Sequence, residues 1–357
     1  MAPATATALA PAEPRRTCHT RSVPLRAVSS STDVTTSIGV DDLDAAFATH
    51  RRELTAYAYR MLGSGFEAED AVQETMVRAW KSIDRFEGRA SLRSWLYRIA
   101  TNVCLDMLKS PQRRARPMDL GPASTADSQL GAPVGEHAWV QPVPDALVIN
   151  ETGDPADIAA ARESIRLAFV AAMQYLPPKQ RAVLILREVL RMRATEVADL
   201  LDTSVASVNS ALQRARATLD ERDPEDQRPT AAADDQELLD RYVDAFEAYD
   251  IAALVSLIRE DASFSMPPFA LWLQGTEDIA TWYAGQGIGC KGSKMIATRG
   301  NGTAAFGAYK IDPAGGWAPF ALQIIEVTDG WITGLHHFLG PESFALFGLP
   351  DHLPADA

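Results

Sequence analysis

The sequence predicts a multi-domain protein in which two all-α helical domains precede an α+β domain. Apolar residues recur at helical spacing through residues 41–110 and again through residues 158–222. Beyond residue 237, one amphipathic helix is followed by strand-like runs that turns such as Asp329-Gly330 separate. A chain of 357 residues is long enough for two or three such domains.

Domain boundaries follow from changes in composition. Residues 1–40 lack the continuous apolar stretch of a secretory signal and predict a disordered tail. Residues 113–157 are rich in Pro, Gly, Ala, Ser and Asp without sustained periodicity, which predicts a flexible linker. The remaining segments are helical domains at 41–112 and 158–222, a linker at 223–236, the α+β domain at 237–350 and a tail at 351–357.

Charge is unevenly distributed along the chain. The formal net charge is −13, and residues 234–357 alone hold 6 basic and 17 acidic residues. In contrast, residues 85–116 hold 8 basic and 2 acidic residues. Such a basic block is the footprint expected for phosphate binding, although a solvated helix face explains it equally well.

The first helical domain contains two long helices with different surfaces. The helix predicted over Glu67–Ile83 buries an apolar stripe and exposes an acidic and polar face. The second helix, which Ser91 is expected to cap, buries a stripe that includes Trp95. Residues 85–109 combine arginines with aromatic rings, and separated DNA strands need cations for their phosphates and rings for their bases.

The second helical domain contains a helix-turn-helix pattern. Its helices are predicted over Thr195–Leu201 and up to Leu219, with a tight turn at Asp202–Ser204 and Val205 in the small core. The second helix of such a motif enters the major groove of DNA, where Asn and Gln read adenine and Arg reads guanine.

The α+β domain is predicted to form a cone around an internal cavity. Its four predicted strands, in a curved antiparallel sheet, are Ala262–Met266, Thr303–Lys310, Phe320–Val327 and Trp331–Phe338. Because neighbouring residues on a strand point to opposite faces, only one of His336 and His337 can face the cavity. The residues predicted to line it are Asp261, Phe264, Met266, Trp272, Tyr309 and His336.

Several classes of protein are not supported by the sequence. The three cysteines are far apart and form no disulfide framework or metal motif. No apolar run reaches membrane-spanning length, and no catalytic constellation is recognisable. We therefore expect a cytoplasmic protein without membrane contact that is not an enzyme and needs no cofactor or metal.

The chain resembles the sigma-70 family of RNA polymerase sigma factors, in its extracytoplasmic-function (ECF) group. The runs Ala68–Trp80 and Phe86–Asn102 resemble region 2 of this family. Residues 237–350 resemble a SnoaL-like, cystatin-type cone that some ECF sigma factors carry as an extension. The runs that resemble region 4 are Leu176–Arg181, Thr195–Leu201 and Val208–Arg216.

The resemblance implies a transcription initiation factor that binds core RNA polymerase and promoter DNA. The residues it assigns to capture and melting of the minus-ten element are Phe86, Gly88, Arg89, Ser91, Arg93 and Asn102. Those it assigns to the minus-thirty-five element are Ser207, Asn209, Ser210, Gln213, Arg214 and Arg216. The parts of the polymerase that it implies as partners are the β flap and the clamp helices of β′. The residues that it assigns to the clamp helices are Glu69, Asp70, Gln73 and Glu74. Without the resemblance, an ordinary solvated face would explain these acidic residues.

Two other classes stay open: a helix-turn-helix regulator fused to a small-molecule-sensing domain, and a SnoaL-like enzyme. The first leaves the run Phe86–Asn102 unexplained, and the second leaves both nucleic-acid segments without a role. We further expect the acidic C-terminal domain to regulate the helical domains by docking against residues 85–116. A small-molecule ligand in its cavity would shift that equilibrium if it bound the two states differently.

Overall fold

The computed structural model describes residues 40–86, 88, 90–109, 114–221 and 235–355. Nearly all of the predicted N-terminal tail, most of the second linker, and Arg89 of the predicted minus-ten set lie outside these described residues. Within the described ranges, no helix is both long enough and apolar enough to cross a membrane.

Three helices form the first helical domain: α1 (Val40–Leu62), α2 (Gly65–Ser82) and α3 (Leu92–Met107). Ser64 and Ser91 cap α2 and α3, because each side chain accepts a hydrogen bond from the backbone three residues later. The predicted cap at Ser91 is therefore confirmed. The spacing of Trp80 predicts that it lies on the buried apolar stripe of α2, but its side chain is 46% exposed. Its indole N–H donates a hydrogen bond to Asp44.

The segment after α3 differs from the flexible linker that the sequence predicts for residues 113–157. Its described part contains α4 (Asp145–Val148) and the start of α5 (Pro155–Glu163). Trp139 is 2% exposed, and its backbone pairs with that of Ala115. Single apolar residues such as this tryptophan anchor the segment. Because they recur at neither helical nor strand spacing, the hydrophobic pattern of the sequence does not reveal them.

In its described part, the second helical domain contains the end of α5 and four further helices: α6 (Leu167–Met173), α7 (Pro178–Leu184), α8 (Ala194–Leu200) and α9 (Val205–Asp220). A π-helical turn over Ile185–Val189 continues α7. The predicted helix-turn-helix is confirmed in α8 and α9, where Val208 and Leu212 are buried. Val205, predicted to be in the core, is 39% exposed at the first position of α9.

The α+β domain contains six strands, four helices and a predominantly antiparallel sheet. The helices are α10 (Asp235–Ala248), α11 (Ile251–Val255), α12 (Thr276–Ala284) and α13 (Glu342–Leu346). The strands are β1 (Ile258–Ser265), β2 (Trp272–Gln274), β3 (Lys294–Gly300), β4 (Thr303–Ile311), β5 (Trp317–Thr328) and β6 (Trp331–Leu339). Of these, β2 and β3 were not predicted from the sequence.

The strand order of the sheet is β2-β1-β6-β5-β4-β3. The pair β1 and β6 is parallel, and the other neighbouring strands are antiparallel. This corrects the wholly antiparallel sheet of the prediction. A parallel pair needs a long connection, and the chain supplies one because β2 to β5 lie between β1 and β6 in sequence.

Both faces of the sheet are covered. On one face, Phe264 and Phe306 pack with Tyr242 of α10 in the interior of the domain. On the other face, Ile324 and Phe338 belong to the same cluster of buried apolar residues as the helical domains. The α+β domain therefore shares a core with the helical domains, which fixes the position of its loops against them.

Candidate promoter and polymerase interface

The loop before α3 places an aromatic ring, and a glycine with free space around it, beside the basic segment. Phe86 is half-buried, with its ring centroid 5.2 Å from that of Trp95. Gly88 has a φ of +69°, which favours glycine, and open space surrounds it. Ser91 and Asn102 are exposed. Since about three helical turns separate them, these two polar side chains lie on the same face.

Arg93 is held in an ion pair inside the first helical domain. Its guanidinium donates to both carboxylate oxygens of Glu53 on α1, at 2.7 to 3.0 Å. It also lies 5.0 Å from the ring centroid of Tyr97. The hydrogen bonds to Glu53 raise the pKa of Arg93, and burial acts in the opposite direction. A phosphate contact by Arg93 would therefore require DNA to replace Glu53.

Arg98 connects the two helical domains, a role that the sequence analysis did not assign. Its guanidinium donates to the backbone carbonyls of Asp199 and Leu200, in the last turn of α8. Carbonyl groups at a helix C-terminus carry partial negative charge and lack partners within the helix. The helix-turn-helix domain therefore covers part of α3.

The exposed face of α9 carries the six residues predicted to read the minus-thirty-five element. Arg216 pairs with Glu188 at 2.6 Å, and the hydroxyl of Ser207 lies 2.9 Å from that of the capping Ser204. All six are exposed: Ser207, Asn209, Ser210, Gln213, Arg214 and Arg216. The structure thus brings them together on one surface.

The acidic face of α2 is largely exposed. Asp70, Gln73 and Glu74 are exposed, and Glu74 pairs with Arg78 at 2.7 Å. Glu69 is half-buried and accepts a hydrogen bond from Arg51 of α1. The carboxylates are therefore available at the surface, although two of them already have an arginine partner.

Aromatic side chains fill the interior of the α+β domain. The Phe264 ring lies 4.9 Å from the His337 ring, centroid to centroid, and packs with Trp282 and Tyr283. Met266 is buried in the same cluster. A cavity beside Tyr283 holds only about 10 Å³, which is about the space of one water. Phe264 and Met266 thus lie inside, as predicted, but they do not border a ligand-sized space there.

Two of the predicted lining residues lie outside the interior of the domain, which corrects the prediction. Asp261 is exposed, and its hydrogen bond from Arg259 lowers the pKa of Asp261. Trp272 lies on β2 at the edge of the sheet and donates its indole N–H to the carbonyl of Gly121 in the connecting segment. Both positions face outward from the cone.

Strand alternation explains why the side chains of Tyr309 and His336 also do not face the interior of the domain. Tyr309 lies three positions from the inward-facing Phe306, hence on the opposite face, and donates its hydroxyl to the carbonyl of Pro350 at 2.8 Å. Of the adjacent histidines, His337 faces the interior and His336 the other face. Burial lowers the pKa of His337 to about 3, and the charge of His336 contributes to the shift.

His336 belongs to a buried polar cluster that faces the helical domains. Its Nδ1 lies 2.9 Å from the hydroxyl of Ser265, and its Nε2 lies 3.6 Å from Glu326. Glu326 is also 3.3 Å from Arg166, the residue before α6. Burial alone would raise the pKa of Glu326. The neighbouring His336 side chain, with the charges of Arg166 and Arg116, outweighs burial and holds that pKa well below its ordinary value.

The turn between β3 and β4 joins the α+β domain to three other parts of the chain. Asn301 in this turn is 1% exposed. Its side-chain amide donates to the hydroxyl of Tyr59 on α1 at 2.5 Å and to the backbone carbonyl of Ile165 at 2.8 Å. Its side-chain carbonyl and its backbone N–H both bond to the backbone of Val143. We refer to these bonds together as the Asn301 contact.

In the described part of residues 85–116, the basic block is not covered by the acidic domain as the charge distribution predicts, although the charge of Arg116 acts on Glu326. Arg93 and Arg98 of that block bond to Glu53 and to α8, and Arg114 pairs with Glu67. The α+β domain instead meets the helical domains through the Asn301 contact and the pair Arg166–Glu326. Buried hydrogen bonds and shared apolar surface, rather than net charge, define this interface.

A three-helix domain followed by a helix-turn-helix domain defines the helical core of a bacterial transcription initiation factor. Sigma-70 region 2 matches residues 46–114, and sigma-70 region 4 matches residues 166–219. ECF RNA polymerase sigma factor SigG of Mycobacterium tuberculosis H37Rv is 43% identical over 317 residues, which cover 87% of this chain and 85% of SigG. SigJ of the same strain is 26% identical over 315 residues, covering 84% of this chain and 92% of SigJ.

The fold is shared with a solved structure. The crystal structure of the ECF sigma factor SigJ of Mycobacterium tuberculosis superposes with a TM-score of 0.55 and 23% identity, covering 86% of this chain and all of that one. This coverage extends beyond the helical core into the α+β domain. The chain therefore belongs to the ECF RNA polymerase sigma factors. Membership in this family sets aside the helix-turn-helix regulator. Because sigma factors are not enzymes, it also sets aside the SnoaL-like enzyme.

Proposed function

We propose that this sigma factor directs core RNA polymerase to promoters through two DNA-binding domains, region 2 at residues 41–112 and region 4 at residues 158–222. The observation that carries the proposal is the separation of chemistry over the surface. Carboxylates lie on α2, a ring and arginines lie around α3, and polar side chains line α9. Because polymerase and chromosome are its partners, the protein acts in the cytoplasm.

The acidic face of α2 binds the clamp helices of β′, and region 4 binds the β flap. A DNA-binding protein gains nothing by turning Asp70 and Glu74 toward phosphate. Complementary charge on a protein partner would instead accelerate and orient docking. The exposure of Asp70, Gln73 and Glu74 supports this assignment.

The loop before α3 captures a base from the minus-ten element. Phe86 offers a stacking surface, and the open space at Gly88 lets a nucleotide approach the backbone. Arg89 and Arg93 would contact phosphate, while Ser91 and Asn102 offer hydrogen bonds from the exposed face of α3. The exposed polar face of α9 reads the minus-thirty-five element in the major groove.

The arrangement described above is a closed state that must open on a promoter. Elements centred roughly 25 base pairs apart are separated by roughly 85 Å of straight B-form DNA, at 3.4 Å per base pair. Here the guanidinium of Arg98 on α3 reaches the carbonyl of Leu200 on α8 at 3.3 Å. Region 2 and region 4 therefore have to separate before both elements can be bound.

The C-terminal domain regulates this opening. The Asn301 contact spans region 2, the connecting segment and the start of region 4, so it favours the closed state directly. The pair Arg166–Glu326 adds a charged bond between region 4 and β5. Separation of the two regions would break these bonds and expose buried polar groups.

Run-off transcription tests the proposed activity. Purified protein is added to sigma-free core polymerase on genomic fragments that carry native start sites, and the transcripts are mapped. We expect RNA chains from a limited set of promoters that share two elements. A full-length protein and a truncation lacking residues 237–357 that both fail to start transcription at any site would contradict the proposal.

A further inference from the structure

A groove of about 740 Å³ lies between region 2 and region 4. One wall is α1, a second is α5 with the residues after it, and a third is the π-helical turn that continues α7. This volume is within the range of small-molecule sites in proteins. The residues of the groove that carry the argument are Arg52, Glu53, Arg60, Asp157, Ser164 and Glu188.

Arg60 is a buried cation that lacks a carboxylate partner among the described residues. Its side chain is 3% exposed, and its guanidinium donates to the hydroxyl and backbone carbonyl of Ser164 at 2.6 to 3.2 Å. Burial lowers the pKa of Arg60 to about 10, so the group keeps its charge at neutral pH. Buried arginines are normally paired with an anion because desolvating a lone charge is costly.

A second arginine lies on the same stripe of α1. Arg52 is two helical turns before Arg60 and donates to the carbonyl of Ala146 at 3.3 Å. The acidic residues of the groove are already neutralised by other arginines. Their pairs are Glu53–Arg93, Asp157–Arg191 and Glu188–Arg216. The groove therefore holds two positive charges that no carboxylate in the described part of the chain balances.

We propose that this groove binds a small molecule that carries a diphosphate or triphosphate. The guanidinium fork matches phosphate oxygens in two-point hydrogen bonds. Roughly 12 Å of helix separates the two arginines, which favours linked phosphates over a single one. The groove leaves room for an attached nucleoside, since its volume exceeds that of the phosphates alone.

Such a ligand stabilises the closed state, an inference that rests on the function proposed above. The groove is formed by both regions, so it exists only while region 2 and region 4 are together. A ligand that binds one state alone shifts the equilibrium toward that state. At 100 times its Kd, it would raise the ratio of closed to open protein about 100-fold.

Calorimetric titration of the full-length protein with pyrophosphate, ATP and inorganic phosphate tests the site. We expect saturable binding of pyrophosphate or ATP that is tighter than that of inorganic phosphate. Arg52→Gln should weaken it about tenfold or more, and Arg60→Gln likewise. Arg51→Gln is the matched control, because Arg51 is the neighbouring arginine on α1 but pairs with Glu69 outside the groove, so binding should change less than twofold.

Thermal melts of each variant establish that it is folded. If Arg60→Gln is not folded, Arg60→Lys replaces it in the titration as the charge-preserving variant. Absence of saturable pyrophosphate and ATP binding, or equal losses in Arg52→Gln and Arg51→Gln, would overturn the site. Binding that leaves the affinity of the wild-type protein for core polymerase unchanged would overturn its effect on the closed state. Failure of the sigma activity itself would appear in run-off transcription and would leave the titration result standing.

Discussion

Asn301 of the C-terminal domain donates its side-chain amide to the hydroxyl of Tyr59 in region 2, at 2.5 Å, in a site that is almost fully buried. Burial raises the pKa of Tyr59, and the hydrogen bond from Asn301 opposes that effect. Loss of one partner would leave the other polar group buried without its bond. The bond therefore couples the C-terminal domain to the arrangement of the helical domains.

Replacement of Asn301 should activate the protein. Asn301→Gly removes the side-chain bonds but tolerates the φ of +53° at this position. We expect several-fold more run-off transcript at limiting protein, together with about 2 kcal/mol lower free energy of unfolding. Gln236→Ala is the control, because Gln236 is exposed on α10 and its side chain bonds to Asp240 one turn later on the same helix. Equal transcription by the Asn301 variant and the control would contradict the role of this contact.

The acidic face of α2 should determine affinity for core polymerase. Asp70→Lys reverses an exposed charge on this face, so we expect at least tenfold weaker binding to core enzyme in a fluorescence titration at moderate salt. Glu237→Lys reverses an equally exposed charge on α10 and should leave the affinity within twofold. Matching losses in both variants would indicate a net-charge effect rather than a local contact.

Phe86 should act at promoter melting rather than at initial binding. Phe86→Ala removes the ring that lies against Trp95, at a cost of about 1 kcal/mol to stability because the ring is only half-buried. We expect at least tenfold slower strand opening, followed by permanganate reactivity of unpaired thymines. Binding to a template with a pre-melted minus-ten bubble should recover much of the loss. Normal rates of strand opening in this variant would show that Phe86 does not take part in promoter melting.

Gln213 should contribute to sequence preference on α9. Gln213→Ala removes an exposed side chain able to bond to a base edge, so discrimination at one base pair should fall by about 1–3 kcal/mol. Affinities for duplexes with each base at every position of the minus-thirty-five element measure this effect. A uniform loss across all duplexes would instead identify Gln213 as a backbone contact.

Acidification should destabilise the protein through His337. The folded state holds the pKa of His337 at about 3, whereas the unfolded chain has a value near 6.5. Above about pH 6.5, neither the folded nor the unfolded state binds this proton. As pH falls from about 6.5 toward 3, only the unfolded state does, and stability falls by about 1.4 kcal/mol per unit. Urea unfolding at pH 7.5 and pH 5.5 should show a smaller loss for His337→Gln than for the exposed control His352→Gln. Identical losses would refute this assignment.

The sequence predicts the helical domains well because their information is local. Helical periodicity, the cap at Ser91 and the helix-turn-helix all depend on residues close together in the chain, and each is present in the structure. Four of the six strands follow from the same kind of pattern. The strand β2 has only three residues, too few for an alternating pattern to stand out.

The interior of the C-terminal domain and the contacts between domains were harder to predict. Asp261 and Tyr309 were chosen for their chemistry, although strand alternation with Phe264 and Phe306 places each on the opposite face. Asn301 lies in a short Gly-Asn-Gly turn that looks like an ordinary hairpin loop. Its role depends on partners up to 242 positions away, and one sequence contains no signal for such contacts.

The distance between α3 and α9 tests the central claim most directly. Fluorescent labels at Lys109→Cys and Asp220→Cys, in a protein without its three native cysteines, report this distance by energy transfer. We predict a single distance in the free protein, a longer one in the complex with core polymerase and promoter, and a mixture of both in free Asn301→Gly. An unchanged distance in the promoter complex, or the distance of the free protein alone in the Asn301 variant, would contradict a closed state that the C-terminal domain maintains.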